Sequence, residues 1–383
     1  MVSRAGWGCS MKPIVLVVCG DAGGAAAIAP VVARLKMEGR LNPRSLASRY
    51  AAPALQSYNL DVEDLLEVPS MTVAESYFRN FCPALLITGT TWGPEQPEKP
   101  FLAMSRAFGV PSLTVLDFWT NYRARFDDET GALAYLPDRI AVMDALAQRE
   151  MLAEGFPPEI LIVTGAPHLD SLSSVRATFT IARRTALRTR LGVGEKELLV
   201  LFASQPVSEL YGESLGYTEQ RVLALLIAAL DALAQRDQVS LTLALRPHPR
   251  ENIDKFSGVR PAHVRIATAA DGSGRDWAMA SDLVVGMISA LLLEACYLGC
   301  LTVSLQPNLT KSDMLPTNRS RLSLPVYAEE EIGPTLREAL LNEEFRREQR
   351  VRLGTANLPE GATQNVVKLA YQMCHTDFPE VFS

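Results

Sequence analysis

Short runs of apolar, β-branched residues alternate along this chain with longer stretches in which apolar positions recur every three or four residues. In the first half the short runs fall at 13–19, 83–88, 111–116, 139–143 and 160–164 and read as strands. Helical patterns fall at 25–37, 97–108 and 144–154. Runs this continuously apolar suit strands buried on both faces, which is the condition of a parallel sheet covered by helices. The pattern changes over 165–193, where a Gly165-Ala166-Pro167 turn leads into an arginine-rich helix that ends at Gly192 and Gly194. This segment is the expected hinge.

A second series then begins: strand 198–203, helix 218–236, strands 239–245 and 282–286, helix 289–298 and strand 301–305. A closing helix over 362–373 follows Gly361, with Thr363 available to cap it. The expected fold class is α/β, with two Rossmann-like doubly wound parallel-sheet domains facing a cleft. The first spans 11–170 and the second 190–360, and 361–383 form the closing helix and tail. Met11 reads as an alternative start, because residues 1–10 carry no pattern.

A length of 383 residues is enough for two such cores. Hydrophobic residues make up 48% and charged residues 21%, and the net charge is -6. That balance argues against broad nucleic-acid binding, which needs a basic surface, but leaves room for a local basic pocket. No apolar run reaches the ~18 residues of a membrane span. The run at 12–19 is too short for a signal-peptide core, and the expected location is cytoplasmic. The six cysteines form no Cys-x-x-Cys pair and the four histidines are scattered, so reduced, buried thiols are expected rather than a metal centre.

Six segments carry chemistry. Each stands at the end of a strand, where ligands bind in open parallel sheets. Cys19-Gly20-Asp21-Ala22-Gly23-Gly24 opens a helix whose N-terminus favours polar or anionic groups, and Asp21 is the candidate general base. The spacing is not Gly-x-Gly-x-x-Gly, so it is no dinucleotide fingerprint. Thr88-Gly89-Thr90-Thr91 and Asp117-Phe118-Trp119-Thr120-Asn121 end two further strands. Their hydroxyls, carboxylate and rings suit a sugar acceptor, giving Gly23, Gly24, Thr90, Asp117, Trp119 and Asn121 as acceptor-binding residues. Ser204 and Gln205 end the strand at 198–203, where backbone N–H groups and a hydroxyl suit a phosphate.

Arg246-Pro247-His248-Pro249-Arg250 places a histidine between two prolines and two arginines, a small cationic cluster suited to a leaving diphosphate. His248 is therefore both a donor-binding and a catalytic candidate. Ser289 and Ala290 stand where a helix begins, as N-cap or phosphate ligand. Glu294 lies five residues on in an apolar run, where a charge needs a partner. A ribose diol and a neighbouring arginine are the two alternatives.

Three runs extend the pattern: Leu136-Pro-Asp-Arg-Ile-Ala-Val-Met143, Ala153-Glu-Gly-Phe-Pro157 and Ile162-Val-Thr-Gly-Ala-Pro167. With the segment at 280–299, they resemble the GT-B glycosyltransferase and non-hydrolysing UDP-N-acetylglucosamine 2-epimerase superfamily, over roughly residues 12–375. By that likeness Glu294 holds the ribose, and Ser289 and Ala290 stand at the phosphate-binding small residues. His248-Pro249 is similar to the His-Pro motif of bacterial capsule-type transferases. Two departures matter. Epimerases open with a Gly-Thr-Arg-Pro-Glu-like loop, whereas this chain has Cys19-Gly-Asp-Ala-Gly-Gly24, and their donor loop is richer in Ser and Gly than Gly286-Met-Ile-Ser-Ala290.

The resulting expectation is a metal-independent glycosyltransferase of glycan or polysaccharide biosynthesis. It needs no cofactor beyond a nucleotide-sugar donor, UDP-sugar before CMP- or GDP-sugar. The acceptor is a glycan or lipid-linked hydroxyl, with peripheral membrane contact and homo-oligomerisation left open. The alternatives are a UDP-sugar 2-epimerase, hydrolysing or not, and a non-catalytic nucleotide-sugar-binding protein.

Overall fold

The computed structural model describes residues 12–93, 95–248, 251, 253–256, 261–355 and 361–374. Cys9, Met11, Pro249 and Arg250 lie outside the described residues. The chain divides into two compact units, one of residues 1–170 with 358–383 and one of residues 171–357.

The first unit is a seven-stranded sheet: β1 (Ile14–Cys19), β2 (Asn42–Ser48), β3 (Val62–Leu65), β4 (Leu85–Thr88), β5 (Ser112–Val115), β6 (Arg139–Val142) and β7 (Leu161–Val163). Their order is β3-β2-β1-β4-β5-β6-β7. Every pairing is parallel. The second unit holds β8 (Leu198–Ala203), β9 (Leu241–Arg246), β10 (Val264–Thr268), β11 (Leu283–Gly286), β12 (Thr302–Leu305) and β13 (Leu324–Val326). These run β10-β9-β8-β11-β12-β13, also parallel throughout. The two expected parallel-sheet α/β domains are present.

Both faces of β1 are buried. Val15 and Val17 enter one core with Ile28, Val31 and Leu35 of helix α1 (Ala22–Glu38). Leu16 and Val18 enter another with Phe101 and Leu102 of helix α2 (Glu98–Phe108). This two-sided burial is why β1 reads as an unbroken apolar run.

Four strands have no counterpart in the sequence pattern: β2, β3, β10 and β13. Three of them, β3, β10 and β13, are edge strands, and β2 is next to an edge. β10 shows only one fully buried residue in five, Val264, so its apolar signal is too weak to register. Of the thiols, Cys19 and Cys296 are buried as expected, but Cys82 is exposed. Its position is that of a left-handed helix C-cap, φ 44°, which sits at the surface.

Further helices needed below are α3 (Ala145–Ala153), α4 (Glu219–Asp237), α5 (Ala290–Tyr297) and α6 (Ala362–Met373). Helix α6 belongs to the first unit and puts Val366, Val367, Ala370 and Tyr371 into the same core as α1. Thr363 does not cap it. Gly361 takes the N-cap position with a left-handed φ of 69° and no side chain to offer. Asp170 does the capping instead, accepting from Ala362 N at 3.0 Å and Thr363 N at 2.7 Å. Among the described residues no helix is long and apolar enough to cross a membrane.

Each sheet has one point where the strand order reverses. In the first it falls between β1 and β4, in the second between β8 and β11. Neighbouring loops diverge there beyond the carboxyl ends of the strands and leave a crevice. The segments singled out in the sequence stand at these two places.

Candidate functional site

At the second reversal point a cavity of about 560 Å³ is lined by Ser204, Gln205, Arg246, His248, Arg275, Ser289, Ala290 and Glu294, among others. Seven of these eight were candidates from the sequence. They come from the ends of β8 and β9, the start of α5 and the loop before it. A volume of this size suits a small ligand.

Ser289 is the N-cap of α5: its hydroxyl oxygen accepts from Leu292 N at 3.2 Å. The first-turn N–H groups of a helix have no intrahelical acceptors, so α5 presents donors and a partial positive charge at this wall. Gln205 is nearly buried, and its carbonyl oxygen accepts from Ile288 N at 3.0 Å, which ties the β8 end to the α5 start.

Glu294 has the arginine partner. Arg275 donates from Nε to Oε2 at 3.0 Å and from Nη2 to Oε1 at 2.6 Å. Arg275 also reaches Ser171 Oγ at 3.0 Å. A two-bond guanidinium–carboxylate pair is geometrically fixed, so Glu294 is held in one orientation. Both groups remain on the cavity lining.

Arg246 differs from its expected role. It donates to the carbonyls of Ala269 at 2.7 Å and Gly272 at 2.9 Å, and burial lowers its pKa. Its donors hold the 269–272 loop, so the expected cationic pair flanking His248 is not assembled by Arg246. The second flanking arginine, Arg250, is outside the described residues. The sequence reading missed Arg275 and also Glu251, which accepts from Ser204 Oγ at 3.0 Å and from His248 N at 2.7 Å. Only the His248-x-x-Glu251 spacing hinted at the second contact. Nothing local marked Arg275.

At the reversal point of the first unit, polar groups cluster beside β1, β4 and β5. Asp21 is the N-cap of α1 and accepts from Gly24 N at 2.9 Å. Burial and the neighbouring Asp117 raise its pKa, with Arg125 acting the other way. Asp117 Oδ1 accepts from Thr90 Oγ1 and from Arg125 Nη1, both at 2.5 Å. Arg125 is itself buried.

Glu98, the first residue of α2, is 3% exposed. One of its oxygens accepts from Gly20 N at 2.7 Å and Thr91 Oγ1 at 2.8 Å. The other, Oε2, is buried without a partner. Burial pushes this carboxyl up to about 7. Neither Glu98 nor Arg125 was singled out in the sequence. A glutamate directly after Pro97 at a helix start reads as an ordinary first-turn acid.

Five acceptor candidates need restating. Gly24 is buried because α1 packs on the β4 loop: a Cβ there would lie 2.5 Å from Thr90 O. Gly23 leaves room for the Asp117 carboxylate, since a Cβ would meet Oδ2 at 2.5 Å. Trp119 is 1% exposed, and its indole N–H donates to Asp144 Oδ2 at 2.9 Å. A buried ring cannot stack on a sugar, so Trp119 is a core residue fixed by the N-cap of α3. Asn121 is exposed, with a left-handed φ of 56°. Thr90 is buried and serves Asp117.

No protein-family model and no curated protein matches the sequence. Solved structures do. The chain is similar to UDP-GlcNAc 2-epimerase from Neisseria meningitidis bound to UDP-GlcNAc, with a TM-score of 0.63 and 14% identity over 94% of this chain and 99% of that one. It is similar to S. aureus MnaA in a co-structure with UDP, at 0.65 and 16% over 96% and 100%. It is also similar to Acinetobacter baumannii MurG, at 0.62 and 15% over 94% and 100%. The expected superfamily likeness is present at the level of the fold.

Proposed function

For a chain of GT-B fold with this cavity, we propose a UDP-sugar-transforming enzyme whose donor binds in the second unit. The first reading is transfer of the sugar to an acceptor hydroxyl. The observation that carries it is the convergence of the α5 N-terminus, Ser289, Gln205 and the Arg275–Glu294 pair on one cavity. Helix N–H groups and the Ser289 hydroxyl suit a diphosphate, and the fixed carboxylate of Glu294 suits a ribose diol. UDP is favoured because the Neisseria epimerase and the S. aureus protein hold UDP-GlcNAc and UDP.

Asp21 is the proposed base. Its raised pKa, from burial and Asp117, makes it a better proton acceptor than an ordinary aspartate. Asp21→Asn is expected to abolish transfer while leaving UDP binding intact. Near-normal turnover of that variant would remove Asp21 from the mechanism.

A second reading, 2-epimerisation, is favoured by the pair of raised carboxyls at Asp21 and Glu98. Carboxyls held above the usual carboxylate range can take up and return a proton within the site, which serves a reaction that needs no acceptor.

The test is melting of the purified protein with UDP, GDP, TDP, ADP, CDP and CMP. A ligand at 100 times its Kd adds about 2.7 kcal/mol. UDP is expected to raise the Tm, and Glu294→Ala to remove most of the rise. If no nucleotide raises the Tm, the donor reading fails. UDP-GlcNAc incubated with the enzyme alone then separates the two reactions: an isomerised sugar supports epimerisation, and release of UDP only with an added acceptor supports transfer.

A further inference from the structure

Ser204 has two hydrogen-bond donors, and both are committed inside the protein. Its backbone N–H donates to Arg246 O at 3.0 Å, continuing the β8–β9 ladder. Its hydroxyl meets Glu251 Oε1 at 3.0 Å. The sense of that second bond follows from the other partners of Glu251. Lys255 Nζ lies 2.6 Å from the same oxygen, and the backbone N–H of His248 lies 2.7 Å from Oε2. An ammonium and a backbone N–H donate only. The glutamate, whose side chain is fully buried, is thus an acceptor on both oxygens, and the proton in its bond to Ser204 is the serine's.

Lys255 is itself anchored: Nζ lies 2.7 Å from Glu219 Oε1, and the Glu219 side chain is fully buried. Glu219, the first residue of α4, in turn accepts from Ser208 N at 2.9 Å and Ser208 Oγ at 2.7 Å. Among the described residues the network is closed on the protein side, so Ser204 meets the cavity with lone pairs. Across the same cavity the polarity is opposite. Gln205 spends its oxygen on Ile288 N, and Ser289 spends a lone pair on Leu292 N. Among the described residues the carboxamide N–H₂, the Ser289 proton and the N–H groups of Ala290 and Leu291 at the start of α5 remain as donors.

We propose that Glu251 sets the hydrogen-bonding sense of this cavity: Ser204 receives a hydroxyl or N–H of the ligand, and phosphate oxygens are confined to the α5 side. This replaces the sequence expectation that Ser204 holds a phosphate. It rests on the donor reading of the cavity, and it narrows what the β8 wall accepts. A phosphate oxygen placed against Ser204 would face the serine's lone pairs with Glu251 behind them. A sugar hydroxyl or the N–H of a base fits there. Glu251 touches no ligand in this scheme; it is a positioning residue.

Two measurements test the inference, one without any ligand. In Ser204→Cys the thiol replaces the hydroxyl beside Glu251, and its pKa is read from the pH dependence of alkylation by iodoacetamide. It is expected above the ordinary value of about 8.5. Adding Glu251→Gln, which keeps the size and removes the charge, is expected to bring it down. Equal pKa values in the two backgrounds would overturn the proposal.

The second measurement is the affinity of Ser204→Ala for inorganic pyrophosphate, UDP and UDP-GlcNAc. Pyrophosphate binding is expected to change by less than about twofold. The ligand that carries the recognised hydroxyl or N–H is expected to weaken about five- to tenfold, the loss of one hydrogen bond. A fall in UDP-GlcNAc alone assigns Ser204 to the sugar, and an equal fall in UDP assigns it to the nucleoside. A loss of pyrophosphate binding as large as either overturns the inference. If the wild type binds none of the three, the donor reading fails, and the thiol measurement alone decides the role of Glu251.

Discussion

A carboxylate oxygen that is buried without a donor destabilises the charged form of its group, and Glu98 Oε2 is in that position. The consequence is a pH dependence of stability with a definite sign. The Glu98 pKa is about 7 in the folded protein against an ordinary 4.5, so between those values the folded state binds more protons than the unfolded one. The contribution is fully present below about pH 4.5 and is lost as the pH rises through 7. Unfolding at a series of pH values is expected to show stability of the first unit declining over this window, by a few kcal/mol in the wild type. Glu98→Gln, which keeps the acceptor for Gly20 N and Thr91, should flatten the decline and be the more stable protein above pH 7. A variant with the wild-type slope would place the titration elsewhere.

Residues of this kind were poorly legible in the sequence. Asp21, Ser289 and Glu294 announced themselves by local context: a loop after a strand, a helix start, a charge in an apolar run. Arg275, Glu251 and Arg125 did not, because what defines them is a partner brought close by the fold: Glu294 nineteen residues away for Arg275, and Ser204 forty-seven away for Glu251. Trp119 misled for the complementary reason. An aromatic in a polar loop looks presented until burial is known, and its neighbour across the fold is Asp144. Gly24 is an acceptor candidate in the sequence, but in the fold its open side faces the Thr90 backbone. Gly24→Ala is accordingly expected to cost about 1–3 kcal/mol in chemical denaturation, since backbone has nowhere to shift.

At the level of elements, legibility followed burial. The central strands β1, β4, β5, β8, β9, β11 and β12 are buried on both faces and were visible as runs. β3, β10 and β13 close the edges and need less apolar surface, so they passed as loops. Helix ends depend on groups the periodicity does not contain. Asp170 caps α6 from 192 residues away, whereas Thr363, adjacent in sequence, does not. Replacing Asp170 by Ala leaves Ala362 N and Thr363 N without their acceptor. The expected loss is about 0.5–2 kcal/mol in the first unit, measured by urea unfolding. Thr363→Ala serves as the comparison and should lose far less; equal losses would return the cap to Thr363.

For the whole molecule, the doubly wound plan was readable because strand runs alternate with helical stretches on a regular beat. The carboxyl ends of the strands could then be anticipated as the ligand side, and the chemistry-bearing loops do stand there, beside the reversal points of the strand order. The allegiance of the closing helix was not readable, because an amphipathic helix carries no address. Its fully buried Val366, Val367, Ala370 and Tyr371 complete the core under α1, and Asn365 Nδ2 donates to Thr164 O at 3.0 Å. A chain ending at residue 357 is expected to keep a protease-resistant second unit and lose resistance in the first. Limited proteolysis with mass spectrometry reads this directly, and resistance across residues 12–170 of the truncated chain would contradict it.

That arrangement has a bearing on how the protein is made. Residues 171–357 are contiguous and hold all their own strands, so this unit can close as soon as it clears the ribosome. The residues translated before it must wait, because their hydrophobic layer is finished by a helix that follows the whole second unit in the chain. During synthesis the earlier half is therefore the one that keeps an open apolar face until translation reaches α6.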